Sequence, residues 1–197
     1  MVEIILASAS QMKREVLEKL GLEIKVHESG FDEKADHLTK PEDVVKYLAL
    51  EKARAVAREH PTCAIIGTDT IIYHSGAIIG KPKDESHARQ LLASYSGKAH
   101  AAYTGVAVIY QGKEFVDVSK VLVHFRELTS KEIDAYITTG EPFGKAGAYA
   151  YQYRGAALIH KMDGDYYAAL GMPIFTVVTL LRNAGLNPIT LNTNPKT

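Results

Sequence analysis

The apolar residues of the chain fall into two rhythms, and each predicts a kind of element. Glu3 to Ala7 is a short apolar run of the buried-strand type, and Ser8-Ala9-Ser10 ends it. From Gln11 to Leu20 the positions Met12, Val16, Leu17 and Leu20 recur at helical spacing, closed by Gly21. Leu22 to His27 alternates as a strand does. Pro41 to His60 is the longest helical pattern, with Pro41 suited to its first turn. Thr62 to Tyr73 predicts a buried strand interrupted by polar residues, and Ile78-Ile79 extends the sheet. Asp84 to Tyr95 is helical. Ala99 to Tyr110 and Glu114 to Phe125 form a hairpin across Gln111-Gly112-Lys113. Ser130 to Thr138 is a helix capped by Ser130. A glycine-rich stretch from Gly140 to Gly147 precedes a strand at Ala156 to Met162, a turn at Asp163-Gly164-Asp165 and a last helix from Pro173 to Ala184. Strands and helices alternate at both ends with a long hairpin between, which predicts an α/β fold with a mixed sheet. Neither a repeat nor a linker divides the chain, so residues 1–190 read as one domain and 191–197 as a frayed tail.

Composition narrows the class without naming a function. Apolar residues make up 46% of the 197 and charged residues 23%. That balance excludes a disordered tail, a fibrous repeat and a membrane channel. Lys and Arg number 23, as do Asp and Glu, so no basic excess points to a nucleic-acid or membrane surface. A local cation cluster is compatible with this neutrality. Cys63 is the only cysteine, and its apolar setting reads as an inert core thiol. The opening MVEIILASAS has a short apolar run with no basic residues before it, so a cytoplasmic location is expected.

Several polar residues fit a bland core poorly. A helix opening directly after a strand, as at ILASAS-QMKR, presents free backbone N–H groups that bind anions. Ser10 takes the N-cap position. Lys13 stands where a capping box would place an acid, and Arg14 follows; both oppose the helix dipole unless an anion is present. Lys52 lies on the apolar stripe Val45, Leu48, Ala49, Ala53, Val56, so it either reaches the helix edge or enters a polar cavity. Asp69, between apolar runs in AIIGTDTIIY, is either a turn former or a carboxylate that needs a partner or metal. Gly80-Lys81-Pro82 reads alone as a turn, and Phe31-Asp32-Glu33 puts two acids on a loop after a strand, which alone says nothing. Gln152 lies among Tyr149, Tyr151 and Tyr153, where it has the groups to read a base edge. The eight histidines show no metal-ligand spacing, and no phosphate-loop, dinucleotide or nucleophile-elbow motif is present. Together these residues predict a pocket for a polyphosphate and a metal.

In order, LASAS with its lysine and arginine, FDE, EKA, GTDT, GKP, SYSGKAH, TGEPFGKAGAY, the glutamine and GDYYAALGMP resemble the Maf-like nucleoside triphosphate pyrophosphatases, in register from about residue 4 to 184. The resemblance implies an elongated mixed sheet with flanking helices, two lobes around a central cleft, as in the inosine triphosphate pyrophosphatases. It implies hydrolysis of a nucleoside triphosphate to monophosphate and pyrophosphate with Mg2+ or Mn2+, and a homodimer. Asp69 matches the proton acceptor, with Glu33, Lys52 and Lys81 also catalytic and Asp69 and Glu33 on the metal. Ser8, Ser10, Lys13 and Arg14 match phosphate-binding positions. Met12, Thr70 and Gln152 match specificity positions, two of them in the form typical of dTTP and UTP enzymes. Met12 replaces a common arginine and Tyr153 a glycine, which implies a base preference widened toward CTP. The competing expectations are a non-catalytic, nucleotide-sensing regulator of septum formation and a purine-directed pyrophosphatase.

Overall fold

The computed structural model describes residues 2–191. A seven-stranded mixed sheet runs through it in the order β2-β1-β3-β5-β6-β7, with β4 attached to β3. The strands are β1 (Ile4–Leu6), β2 (Ile24–Val26), β3 (Ala64–His74), β4 (Ala77–Ile79), β5 (Ala99–Tyr110), β6 (Lys113–Phe125) and β7 (Ile159–Asp163). The helices are α1 (Gln11–Glu18), α2 (Pro41–Glu59), α3 (Glu85–Tyr95), α4 (Ser130–Thr138), α5 (Tyr166–Ala169), α6 (Ile174–Asn183) and α7 (Pro188–Leu191). The expected hairpin is β5–β6, paired from Ala99↔His124 to Tyr110↔Lys113.

Three local expectations are corrected. Residues Arg154–Leu158 form a 3-10 helix, so the strand predicted from Ala156 begins only at Ile159. The N-cap of α4 is Thr129, not Ser130, because Thr129 and Glu132 complete a reciprocal capping box. Ser10 occupies the N-cap of α1 but makes no side-chain cap bond. Leu191 closes α7 instead of beginning a tail, and 192–197 lie outside the described residues.

The course of β3 organises the interior. Its even residues Ala64 and Ile66 join a cluster with α1 and α6, and Ile72 joins another with α3 and α4. On the opposite face Ile65 and Ile71 belong to two further clusters under α2. Gly67 to Thr70 belong to none of the four. An apolar interior is therefore interrupted at mid-strand by a polar belt, continued across β5 by Thr104, which pairs with Thr70.

One edge of β3 is also interrupted. β1 covers it only at Ala64 to Ile66, in parallel, and β4 only at Ile72 to His74. The other edge is paired with β5 from Ile65 to Tyr73. The gap between β1 and β4 thus falls on the polar belt.

Candidate active site

The turn after β1 and the turn after β4 flank this gap, which brings Ser8-Ala9-Ser10 and Gly80-Lys81-Pro82 to the same edge. Ser8 Oγ accepts from the Ser10 N–H at 3.2 Å, so the first hydroxyl shapes the turn into α1. The first turn of α1 contains no acid, and its uncapped N–H groups meet the requirements of an anion site. Lys13 reaches back over the edge and donates from Nζ to the Thr68 carbonyl at 3.2 Å.

Asp69 lies on the α2 face of β3, and both Asp69 and Lys52 are only 8% exposed. Two glycines bring α2 this close. A Cβ on Gly67 would overlap the Ala49 carbonyl, and one on Gly105 the Val45 carbonyl, so the helix rests on bare backbone. Lys52 therefore points into the polar gap, where its ammonium pairs with Asp69 Oδ1. It also pairs with Glu33 Oε1 at 2.5 Å. Glu33 arrives on the irregular segment between β2 and α2. Two carboxylates distant in sequence thus converge on one ammonium.

Electrostatics follow from this crowding. Burial pushes Lys13 down to about 8, and the Lys52 charge adds to that while Asp69 and Glu33 only partly offset it. Burial also penalises the Lys52 ammonium, but the charges and hydrogen bonds of Asp69 and Glu33 outweigh it and raise its pKa. Partial burial of Glu33 is outweighed in the same way by Lys52, with Lys81 and Lys13 contributing, so its carboxyl is held below the usual range.

The opposite face of the belt presents hydroxyls. Thr104 Oγ1 donates to the Ala168 carbonyl at 2.9 Å and lies 2.8 Å from Thr70 Oγ1. A threonine hydroxyl has one proton. Thr104 uses its proton on the carbonyl, so Thr70 donates to Thr104 and has only lone pairs left for the cleft. Gly171, with φ of 80°, closes over this pair: a Cβ there would lie 2.9 Å from Thr70 Oγ1 and 3.0 Å from Lys13 Cε.

The remaining expected residues are placed differently. Arg14 is exposed and pairs with Glu18 at 2.6 Å on the outer surface of α1. Met12 packs beside the α1–α6 cluster. Gln152 is half-buried in the turn before Arg154. Neither Met12 nor Gln152 bonds to the Asp69 group among the described residues. Tyr149 is buried in the α3–α4 cluster, Tyr151 packs edge-on against Tyr166, and Tyr153 is 58% exposed. Cys63 is half-buried in the bend just before β3.

Sequence reasoning missed Glu141. Its carboxylate accepts from Tyr136 Oη at 2.8 Å and from the N–H groups of Arg154 and Gly155 at 3.1 and 2.8 Å. It thereby fixes the loop that carries Gln152. Its signal was an acid between a helix and a glycine-rich stretch that has many backbone donors to satisfy. The Gly147 N–H donates to Gly80 O at 3.0 Å and ties this stretch to the Lys81 turn.

Comparison with known proteins bears on this arrangement. The sequence profile of the family described as "Maf-like protein" matches residues 3–184. This chain belongs to the Maf-like family. Among Maf-like relatives, a dTTP/UTP pyrophosphatase of Symbiobacterium thermophilum is 40% identical over 185 residues, covering 94% of this chain and 95% of the relative. A protein of the same name from Moorella thermoacetica is 42% identical over 189 residues, covering 95% and 97%. The solved structure of a HAM1 protein from Coxiella burnetii superposes with a TM-score of 0.53 at 14% identity, covering 93% of this Maf-like chain and all of that one. The last likeness is one of fold.

Proposed function

We propose that this Maf-like protein hydrolyses pyrimidine nucleoside triphosphates to monophosphate and pyrophosphate. The observation that carries the reading is the buried Asp69–Lys52 pair, joined by the exposed Glu33 at the open edge of β3, with Lys13 beside it and the α1 N-terminus next in the chain. The two relatives at 40% and 42% identity support it by name.

In this reading the triphosphate lies along the gap. Its β and γ phosphates face Lys13, Lys81 and the free N–H groups of α1, which neutralise charge on the departing pyrophosphate. Asp69 accepts the proton of the attacking water. That oxygen bonds to the α-phosphorus, and the P–O bond toward the β-phosphate breaks with its electron pair on the pyrophosphate. Lys52 holds Asp69 in place through its ion pair. Asp69 and Glu33 fit a divalent oxygen-preferring cation, Mg2+ or Mn2+, because both already converge on one positive charge. When bound, such an ion lowers the pKa of water and screens phosphate charge. Arg14, paired with Glu18, contributes to phosphate binding only after leaving that partner.

The Thr70 hydroxyl, restricted to accepting, suits a base that offers an N–H, as the imide of uracil and thymine does; cytosine has a lone pair at that ring position. Met12 and Gln152 complete the base side in this reading.

The deciding experiment is a substrate panel of dTTP, UTP, CTP, ATP, GTP and ITP with Mg2+ or Mn2+, its products separated by anion exchange. Pyrimidine monophosphate plus pyrophosphate is expected, with UTP ahead of CTP. Diphosphate plus orthophosphate would reassign the bond, and no turnover would favour a nucleotide-sensing regulator. Thr104→Val frees the Thr70 proton, so the UTP-to-CTP ratio of kcat/KM is expected to fall by roughly tenfold, the worth of one hydrogen bond of about 1.4 kcal/mol. Thr104→Ser should keep the ratio.

The Lys13 ionisation predicts a pH limb. The folded-state value near 8 lies below the ordinary 10.5. The free protein therefore gains stability as pH rises from about 8 toward 10.5, while its grip on the triphosphate weakens. kcat/KM should fall above about pH 8, by up to roughly tenfold per pH unit for one required proton. Lys13→Arg stays charged and should remove that limb. A profile unchanged in Lys13→Arg would assign the ionisation to another group.

A further inference from the structure

The fold brings together two histidines whose sequence spacing signals nothing. His27 follows β2, its N–H donating to Leu6 O at 3.1 Å, and His60 ends α2, its N–H donating to Val56 O at 3.1 Å. His27 Nδ1 lies 2.9 Å from His60 Nε2, with the rings edge to face. Glu59, the last residue of α2, places Oε2 3.5 Å from His27 Nε2. One donor atom from each of these three side chains lies within 4.8 Å of the other two.

We propose that His27, Glu59 and His60 form a second metal site, selective for a borderline ion of the Zn2+ class. Two imidazoles with one carboxylate suit such an ion, whereas Mg2+ takes oxygen ligands. Two ring nitrogens at 2.9 Å share a single proton, and a metal ion takes that proton's place. Bonds of 2.0–2.1 Å at a tetrahedral angle need the nitrogens roughly 3.3 Å apart, so the Nδ1–Nε2 pair opens by only about 0.4 Å, and the Glu59 carboxylate swings from the other ring nitrogen of His27 to join it. Glu59 supplies a second sign. A carboxylate in the last turn of a helix opposes its dipole, and a cation there reverses the penalty. Glu3, close by, is engaged by Lys25 at 2.6 Å.

The site is separate from the nucleotide cleft. His60 is eight residues beyond Lys52, about 12 Å along α2. Its supports are rigid, since Val56 and Ala53 of α2 pack on Ile5 and Ile65 of the sheet. His27 also begins the irregular segment 27–40 that carries Glu33. Metal at this position pins the root of that segment to the end of α2.

Equilibrium dialysis of the full chain against micromolar Zn2+, with metal analysis, tests the assignment. One Zn2+ per chain is expected, undisturbed by millimolar Mg2+. His27→Ala and His60→Ala should each weaken it by more than roughly tenfold, since loss of an outer-shell partner alone costs that much. Co2+ in place of Zn2+ should give tetrahedral-type visible bands, a readout that needs no variant. At a hundredfold excess over Kd, Zn2+ should raise Tm by roughly 5–11 °C in the wild type and not in either variant. Zn2+ that survives both histidine substitutions but is lost in Asp69→Asn places the ion in the nucleotide cleft and overturns the assignment. Absence of bound Zn2+ in the wild type overturns it equally.

Discussion

Asp69→Asn is expected to lower kcat by about 10³-fold, within the range of a general base, while the protein stays folded. The amide keeps the shape of the side chain but cannot take the proton of the attacking water or hold a charge opposite Lys52. The fold survives because Lys52 retains Glu33 at 2.5 Å. Removing one member of a buried pair costs 3–5 kcal/mol when the other is left bare; here the stability loss should be smaller, about 1–3 kcal/mol. Pyrophosphate release and a thermal melt on the same preparation check both halves. Turnover near the wild-type rate would remove Asp69 from the chemistry, and a collapsed melt would show that Glu33 does not compensate.

Gly67→Ala is expected to be among the most damaging single-methyl changes in the site. The added carbon would overlap the Ala49 carbonyl and meet Ala53 Cβ at 3.0 Å. Neither neighbour is a flexible side-chain end, so α2 must lift from the sheet. Overpacking of this kind costs about 3 kcal/mol, which for a chain of this length lowers Tm by roughly 6–12 °C. Activity should fall with stability, because lifting α2 withdraws Lys52 from Asp69. Gly80→Ala is the control: a Cβ there meets nothing within 4 Å, and its melt should move by less than about 0.5 kcal/mol equivalent. Equal melts for the two variants would mean that α2 does not depend on the bare backbone at Gly67.

The elements that the sequence announced correctly carry one clear period each. Val45, Leu48, Ala49, Ala53 and Val56 repeat with the helical turn, and all five are buried in α2. The hairpin was legible because Gln111-Gly112 separates two long strand-type runs, and both residues take positive φ. Failures came where polar groups chose among neighbours. Thr129 displaced Ser130 as a cap because Glu132 lies three residues after Thr129 and can return the bond. The strand expected from Ala156 lost its first residues to a 3-10 turn because Glu141 captures the Arg154 and Gly155 N–H groups. No local pattern announces that contact.

What the sequence determined by itself is the set of misfits: a lysine on the apolar stripe of α2, an aspartate inside an apolar strand, and two cations at the start of α1. Each costs free energy in a bland core, and that cost is readable residue by residue. The tertiary structure alone decided which of them meet. Lys13 crosses to the Thr68 carbonyl, whereas its neighbour Arg14, one helical step away, turns outward to Glu18. Helical periodicity separates those two side chains by about 100°, and only the position of the gap in β3 selects between them. The polarity of the Thr70 hydroxyl and the meeting of His27 with His60 are likewise absent from any local pattern. They depend on groups far apart in the chain, and such contacts exist only once the sheet register has been set.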